Sequence, residues 1–113
     1  MRLIALAATF AFVTTAAYAD DIMAARYGNT TVTKDAAGVE THIYYAADGS
    51  FTGKQKGMDF KGTWKIDGNT VCLTFDPAVP GTPNPACAPV SEHKVGDTWT
   101  AGPYTVSIVA GIQ

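Results

Sequence analysis

Apolar and polar residues alternate with period two through most of the chain, most clearly from Thr41 to Phe75 (THIYYAADGSFTGKQKGMDFKGTWKIDGNTVCLTF). Period-two alternation broken by Gly-containing turns is the signature of half-buried strands in hairpins. This stretch reads as four strands and three tight turns. An Asp67-Gly68 turn of the two-residue I′ kind sets Trp64 opposite Val71, Gly62 opposite Leu73 and Phe60 opposite Phe75. A Gly57-Met58 turn sets Phe51 opposite Trp64 and Gly53 opposite Gly62. At Asp48-Gly49 two registers compete, and a one-residue slip exchanges the faces of a strand. A two-residue turn brings His42 and Tyr44 to the Phe51 face. A three-residue turn, Ala47-Asp48-Gly49, brings Ile43 and Tyr45 there, and that more apolar set is preferred. The inner face then carries three rows: Tyr45–Phe51–Trp64–Val71, Ile43–Gly53–Gly62–Leu73 and Thr41–Gln55–Phe60–Phe75.

The flanks extend this pattern. Asp20 to Tyr27 suits one or two helical turns capped by Asp20 or Asp21 and stopped by Gly28. Asn29 to Lys34, rich in Thr and Val, is a strand. Asp76 to Ala86 holds four of the six prolines and is a long loop. Pro89 to Lys94 is the place for an edge strand. Val95 to Thr100 and Tyr104 to Ala110 form a last hairpin around Ala101-Gly102, with Trp99 facing Tyr104. Seven or eight short antiparallel strands with helix only at the start predict an all-β fold. A small meander barrel is favoured because closure removes exposed edges; a two-sheet sandwich is the alternative.

The first nineteen residues follow a different logic. Met1-Arg2, the apolar run Leu3 to Val13 and Ala17-Tyr18-Ala19 make up a secretory signal peptide, with cleavage expected after Ala19. Removing nineteen of the 113 residues leaves a single domain of 94, Asp20 to Gln113, in the periplasm or secreted. No other run is long enough to span a bilayer as a helix. That domain has seven basic and ten acidic side chains, a net charge of −3, and no basic patch. Nucleic acid is therefore excluded as a partner. In an oxidising compartment Cys72 and Cys87 pair as a disulfide, outside the core because Cys72 alternates with Val71 and Leu73. Two cysteines without CxxC or CxxH spacing do not make a metal site, and no cofactor motif is present.

Candidate chemistry is sparse. The facing Gly53 and Gly62 leave a gap that a bend, a large side chain such as Trp99, or a ligand would fill. Tyr45, Phe51, Trp64 and Trp99 are the residues expected to line an apolar site in the barrel. His42 and His93 are read as solvated strand or loop residues. Ser91 shares a face with His93, without a third member of a triad.

The sequence Y-x-x-D-G-S-F-x-G, then G-T-W-K-I-D-G, then V-C-L-T-F resembles a family of small exported proteobacterial proteins of unknown function. The matching residues are Gly28-Asn29-Thr30, Tyr45, Asp48-Gly49, Phe51, Gly53, Gly62, Trp64 and Cys72. Its G-x-W element is also similar, more distantly, to that of lipocalin- and avidin-type barrels. These positions are turns and core, so the resemblance implies a fold and an exported location and carries over no catalytic or binding residue. Three functional expectations follow. The first is a non-catalytic barrel that binds a small apolar or aromatic molecule or an envelope component. The second is a module that binds an envelope protein through its Pro-rich loop, such as an inhibitor of an envelope-degrading enzyme. The third is a small hydrolase or isomerase using a histidine.

Overall fold

A computed structural model describes residues 21–113; the expected signal peptide and its cleavage point lie outside the described residues. Eight strands follow a short 3-10 turn, Ala24–Arg26: β1 Thr30–Lys34, β2 Glu40–Tyr45, β3 Ser50–Gln55, β4 Met58–Asp67, β5 Thr70–Phe75, β6 Ala86–Pro89, β7 Thr98–Ala101 and β8 Tyr104–Val109. All pair antiparallel in one sheet of order β6-β5-β4-β3-β2-β1-β8-β7. Because β8 returns to β1, the sheet curls into a nearly closed barrel, and the sandwich alternative falls.

The β2–β3 register is the preferred one: Tyr45 pairs with Phe51, Ile43 with Gly53 and Thr41 with Gln55. Ile43 and Tyr45 thus face inward with Phe51. The other three hairpins differ from expectation by a slide of two residues. Phe51 pairs with Gly62 and Gly53 with Phe60, Trp64 with Leu73 and Gly62 with Phe75, and Trp99 with Val106. Their turns are Lys56-Gly57, Gly68-Asn69 and Gly102-Pro103. Gly68 (φ +64°) and Gly102 (φ +61°) stand first, the only one of the two turn residues at positive φ, as a II′ turn requires. Sliding by two keeps every side chain on its expected face.

Gly53 and Gly62 therefore do not face one another. The Phe60 ring lies where a Cβ on Gly53 would be, and the Thr74 carbonyl occupies that place at Gly62. The gap is filled by Phe60 rather than by Trp99. Phe51, Phe60 and Phe75 meet edge-on with ring centroids 5.4–6.4 Å apart, an arrangement aromatic quadrupoles favour.

The edge strand β6 begins earlier than expected, within the segment assigned to the loop. Cys72 and Cys87 sit directly opposite each other on β5 and β6 and form the disulfide. Asn84 has already docked the chain there: its Oδ1 accepts from the Phe75 N–H and its Nδ2 donates to the Phe75 carbonyl. Pro89 ends the strand, and Val90 to Asp97 crosses from β6 to β7 as an irregular segment. Its Val90 is buried and donates its backbone N–H to the Asn69 carbonyl. The end strands β6 and β7 do not pair with each other. At the start of the described chain Asp21 accepts the Met23 N–H. Met23, 1% exposed, then plugs the core beside Tyr45, Val71 and Leu73.

Candidate functional site

Inside the barrel the side chains leave a partly open cavity of about 160 Å³, with the exposed Tyr104 in its wall. β1 contributes Thr31, β2 Tyr45, β5 Val71 and Leu73, and β7 Trp99, while Arg26 enters from the 3-10 turn. β1 and β2 are a paired hairpin, whereas β5 and β7 are not their neighbours in the sheet and are gathered to the same space by its curl. Most of the wall is apolar; Arg26, Thr31, Thr33, Tyr45 and Tyr104 bring polar groups to it, and three of these are well buried.

Arg26 is the most unusual. It is 4% exposed, and its guanidinium donates to the Ile22 carbonyl at 3.0 Å and the Ser91 carbonyl at 3.3 Å. It lies over the Trp99 ring, 5.6 Å from the centroid. No carboxylate among the described residues pairs with it. Burial lowers its pKa, with Tyr45 and Tyr27 nearby opposing that effect, yet a guanidinium stays charged in proteins. Thr31 is also 4% exposed, and its Oγ1 has no hydrogen-bond partner among the described residues. Burial pushes the Tyr45 hydroxyl up to about 12 against the pull of Arg26, so it is a neutral donor at ordinary pH.

Trp99 is held in place by His93, whose imidazole stacks on it at 3.5 Å between centroids and 6° between planes. His93 Nδ1 is 3.3 Å from Asp97 Oδ2 and its Nε2 3.0 Å from Ser91 Oγ. An ionised carboxylate only accepts, so Nδ1 donates to Asp97 and Nε2 accepts from the Ser91 hydroxyl. The Lys94 N–H at 2.9 Å, and then His93, hold the Asp97 carboxyl below the usual carboxylate range. Ser91, His93 and Asp97 thus stand in the order hydroxyl–imidazole–carboxylate, in a surface segment outside the cavity wall.

Of the four residues expected to line a site, Tyr45 and Trp99 do so. Phe51 packs with Phe60 and Phe75, and Trp64 against Tyr27 and Tyr45 with its indole N–H donated to the Ala46 carbonyl at 2.9 Å. His42 lies on the other face of β2 beside Glu40 at 3.2 Å and shares no partner with His93. Arg26 and Thr31 are absent from the sequence-based expectation. The available signal is a lone cation, Arg26, in the otherwise uncharged segment Ile22 to Tyr27.

A second, open groove of about 490 Å³ runs between Pro77–Pro80 and the β3–β4 hairpin, with Tyr44, Met58 and Phe60 on its wall. It is where the stapled loop meets the barrel.

The fold and cavity define the class: a disulfide-bonded antiparallel β-barrel with an internal cavity. No family model matches the chain, and a search of curated proteins finds no match. The disulfide fits a protein outside the reducing cytoplasm, and no helix among the described residues is long and apolar enough to cross a membrane.

Proposed function

We propose that this is an exported binding barrel that holds one small, mostly apolar molecule in its interior without chemical change. The single observation that carries this reading is the internal cavity of about 160 Å³. It is walled in part by Val71, Leu73 and Trp99, and the Thr31 hydroxyl in the same wall has no partner among the described residues. Natural interiors are close-packed, and buried polar groups are almost always paired. A space of ~150 Å³ lined by apolar side chains is known to take one benzene ring, so the part of the occupant held inside is of that size.

Benzene-saturated buffer tests this. Amide resonances of Thr31, Tyr45, Leu73 and Trp99 are expected to shift, and filling the space with Val106→Phe is expected to abolish the shifts in a still-folded protein. Unchanged resonances in the wild type would remove the reading.

A hydrolase is the second reading, and the hydroxyl–imidazole–carboxylate order at Ser91, His93 and Asp97 supports it. Its test is turnover of p-nitrophenyl acetate: a rate that Ser91→Ala leaves unchanged removes it.

A further inference from the structure

Three groups around the cavity restrict the chemistry of its occupant. Arg26 has five N–H donors. Two reach backbone carbonyls, Ile22 and Ser91, and none of the others has a partner among the described residues. A buried cation without an anion is costly, because the desolvation of the charge is not repaid by an opposite one. Thr31, in the same wall, carries a buried hydroxyl with no partner among the described residues. Tyr45 brings a second hydroxyl to the wall, with no hydrogen bond to any described residue. The lining carries no carboxylate. Donors and one positive charge therefore gather around a space whose remaining wall, apart from Thr33 and Tyr104, is apolar, with Val71, Leu73, Val106 and Trp99 the largest part of it.

Resting on the interior-cavity reading, we propose that the occupant is a small organic monoanion. It is a carboxylate on a single aromatic ring or a short branched alkyl group, bound by the Arg26 guanidinium with help from the Thr31 and Tyr45 hydroxyls. An arginine fork matches a carboxylate in shape and charge. Inorganic phosphate or sulfate has nothing to offer the apolar wall. A fatty acid or phospholipid would have to leave most of its chain outside this volume. A cationic ligand would bring like charge next to Arg26.

Calorimetric titration of the protein, purified after expression of its full sequence, separates these cases with three probes of one ring and near-equal size: benzoate, benzyl alcohol and benzylamine. Benzoate is expected to bind at least tenfold more tightly than benzyl alcohol, and benzylamine not measurably. Arg26→Gln is expected to close the gap between benzoate and benzyl alcohol while leaving benzyl alcohol within threefold. Arg26→Lys should retain much of the gap. Thr31→Val should weaken benzoate severalfold without loss of thermal stability, an outcome a purely structural role would not give. Equal affinity for benzoate and benzyl alcohol in the wild type overturns the anion inference and leaves the cavity reading standing. No binding of any probe, together with unchanged resonances in benzene, overturns both. If Arg26→Gln does not fold, the three probes on the wild type and on Arg26→Lys decide.

Discussion

At the scale of single residues, Gly53 and Gly62 show how much a side chain's absence can mean. Both are inward-facing, and both sit beneath a neighbour that needs the space. The neighbours differ in kind. At Gly53 the nearest obstacle is the far edge of the Phe60 ring, with the His42 carbonyl 2.9 Å from the Cβ position as a lesser one, and at Gly62 it is the Thr74 backbone carbonyl, far closer. A ring can swing at a cost typical of overpacking, about 1–3 kcal/mol, whereas the backbone of a paired strand cannot withdraw without breaking its ladder. Gly53→Ala is accordingly expected to lose about 1–3 kcal/mol in urea unfolding and to recover part of it with Phe60→Leu. Gly62→Ala should lose more than that range and respond little to Phe60→Leu. Equal losses at the two positions would contradict this account. The sequence marks both glycines as special but pairs them with each other; their true partners, Phe60 and Phe51, lie two residues away.

Elements were legible in their faces and not in their registers. Alternation with period two says which residues look inward, and it gave one inner face that includes Tyr45, Phe51, Trp64 and Val71. It is blind to a slide of two, because such a slide leaves every residue on its own side. Only turn chemistry can break that tie. Gly68 and Gly102 are used as the first turn residue, and Lys56 adopts positive φ (49°), a conformation glycine adopts far more readily. At Asp48-Gly49 the rival registers differed by one residue, so polarity could decide, and it favoured Ile43 and Tyr45. The β5–β6 pair depends on a covalent link instead. A closed loop of 15 residues is worth about 3 kcal/mol in the chain-entropy model. Replacing Cys72 and Cys87 together by serine should lower unfolding stability by about that amount. Adding reductant to the wild type should reproduce the loss, and an unaltered midpoint under reduction would show that Asn84 and the ladder hold β6 unaided.

For the whole molecule, the barrel itself followed from strand count and the cost of open edges. The polar side of its cavity did not. Arg26 and Thr31 precede the central meander in sequence, and only the curl that brings β8 onto β1 sets them opposite Trp99. The same burial makes global stability depend on alkaline pH. Tyr45 loses its proton near 10 in an unfolded chain and at about 12 in the fold. Below pH 10 both forms are protonated and the contribution is fully present. Between pH 10 and 12 the unfolded chain alone releases its proton, so stability falls, by about 3 kcal/mol in all. Stability measured from pH 9 to 12 should therefore decline less steeply for Tyr45→Phe than for the wild type, and parallel curves would mean that the hydroxyl is not shielded from water.

The absence of hydrogen bonds between β6 and β7 has a consequence for traffic. A fully laddered cylinder admits nothing through its wall without breaking backbone pairing. Here the wall has a cut between β6 and β7, bridged by the segment Val90 to Asp97 and by side chains that include Arg26 to the Ser91 carbonyl, Val90 in the core and His93 laid on Trp99. Such stitches can part and reseat while all seven ladders stay whole. If the barrel holds a guest as proposed, this seam would be its way in, and Arg26 and Trp99, which lie beside it, would be the residues met first.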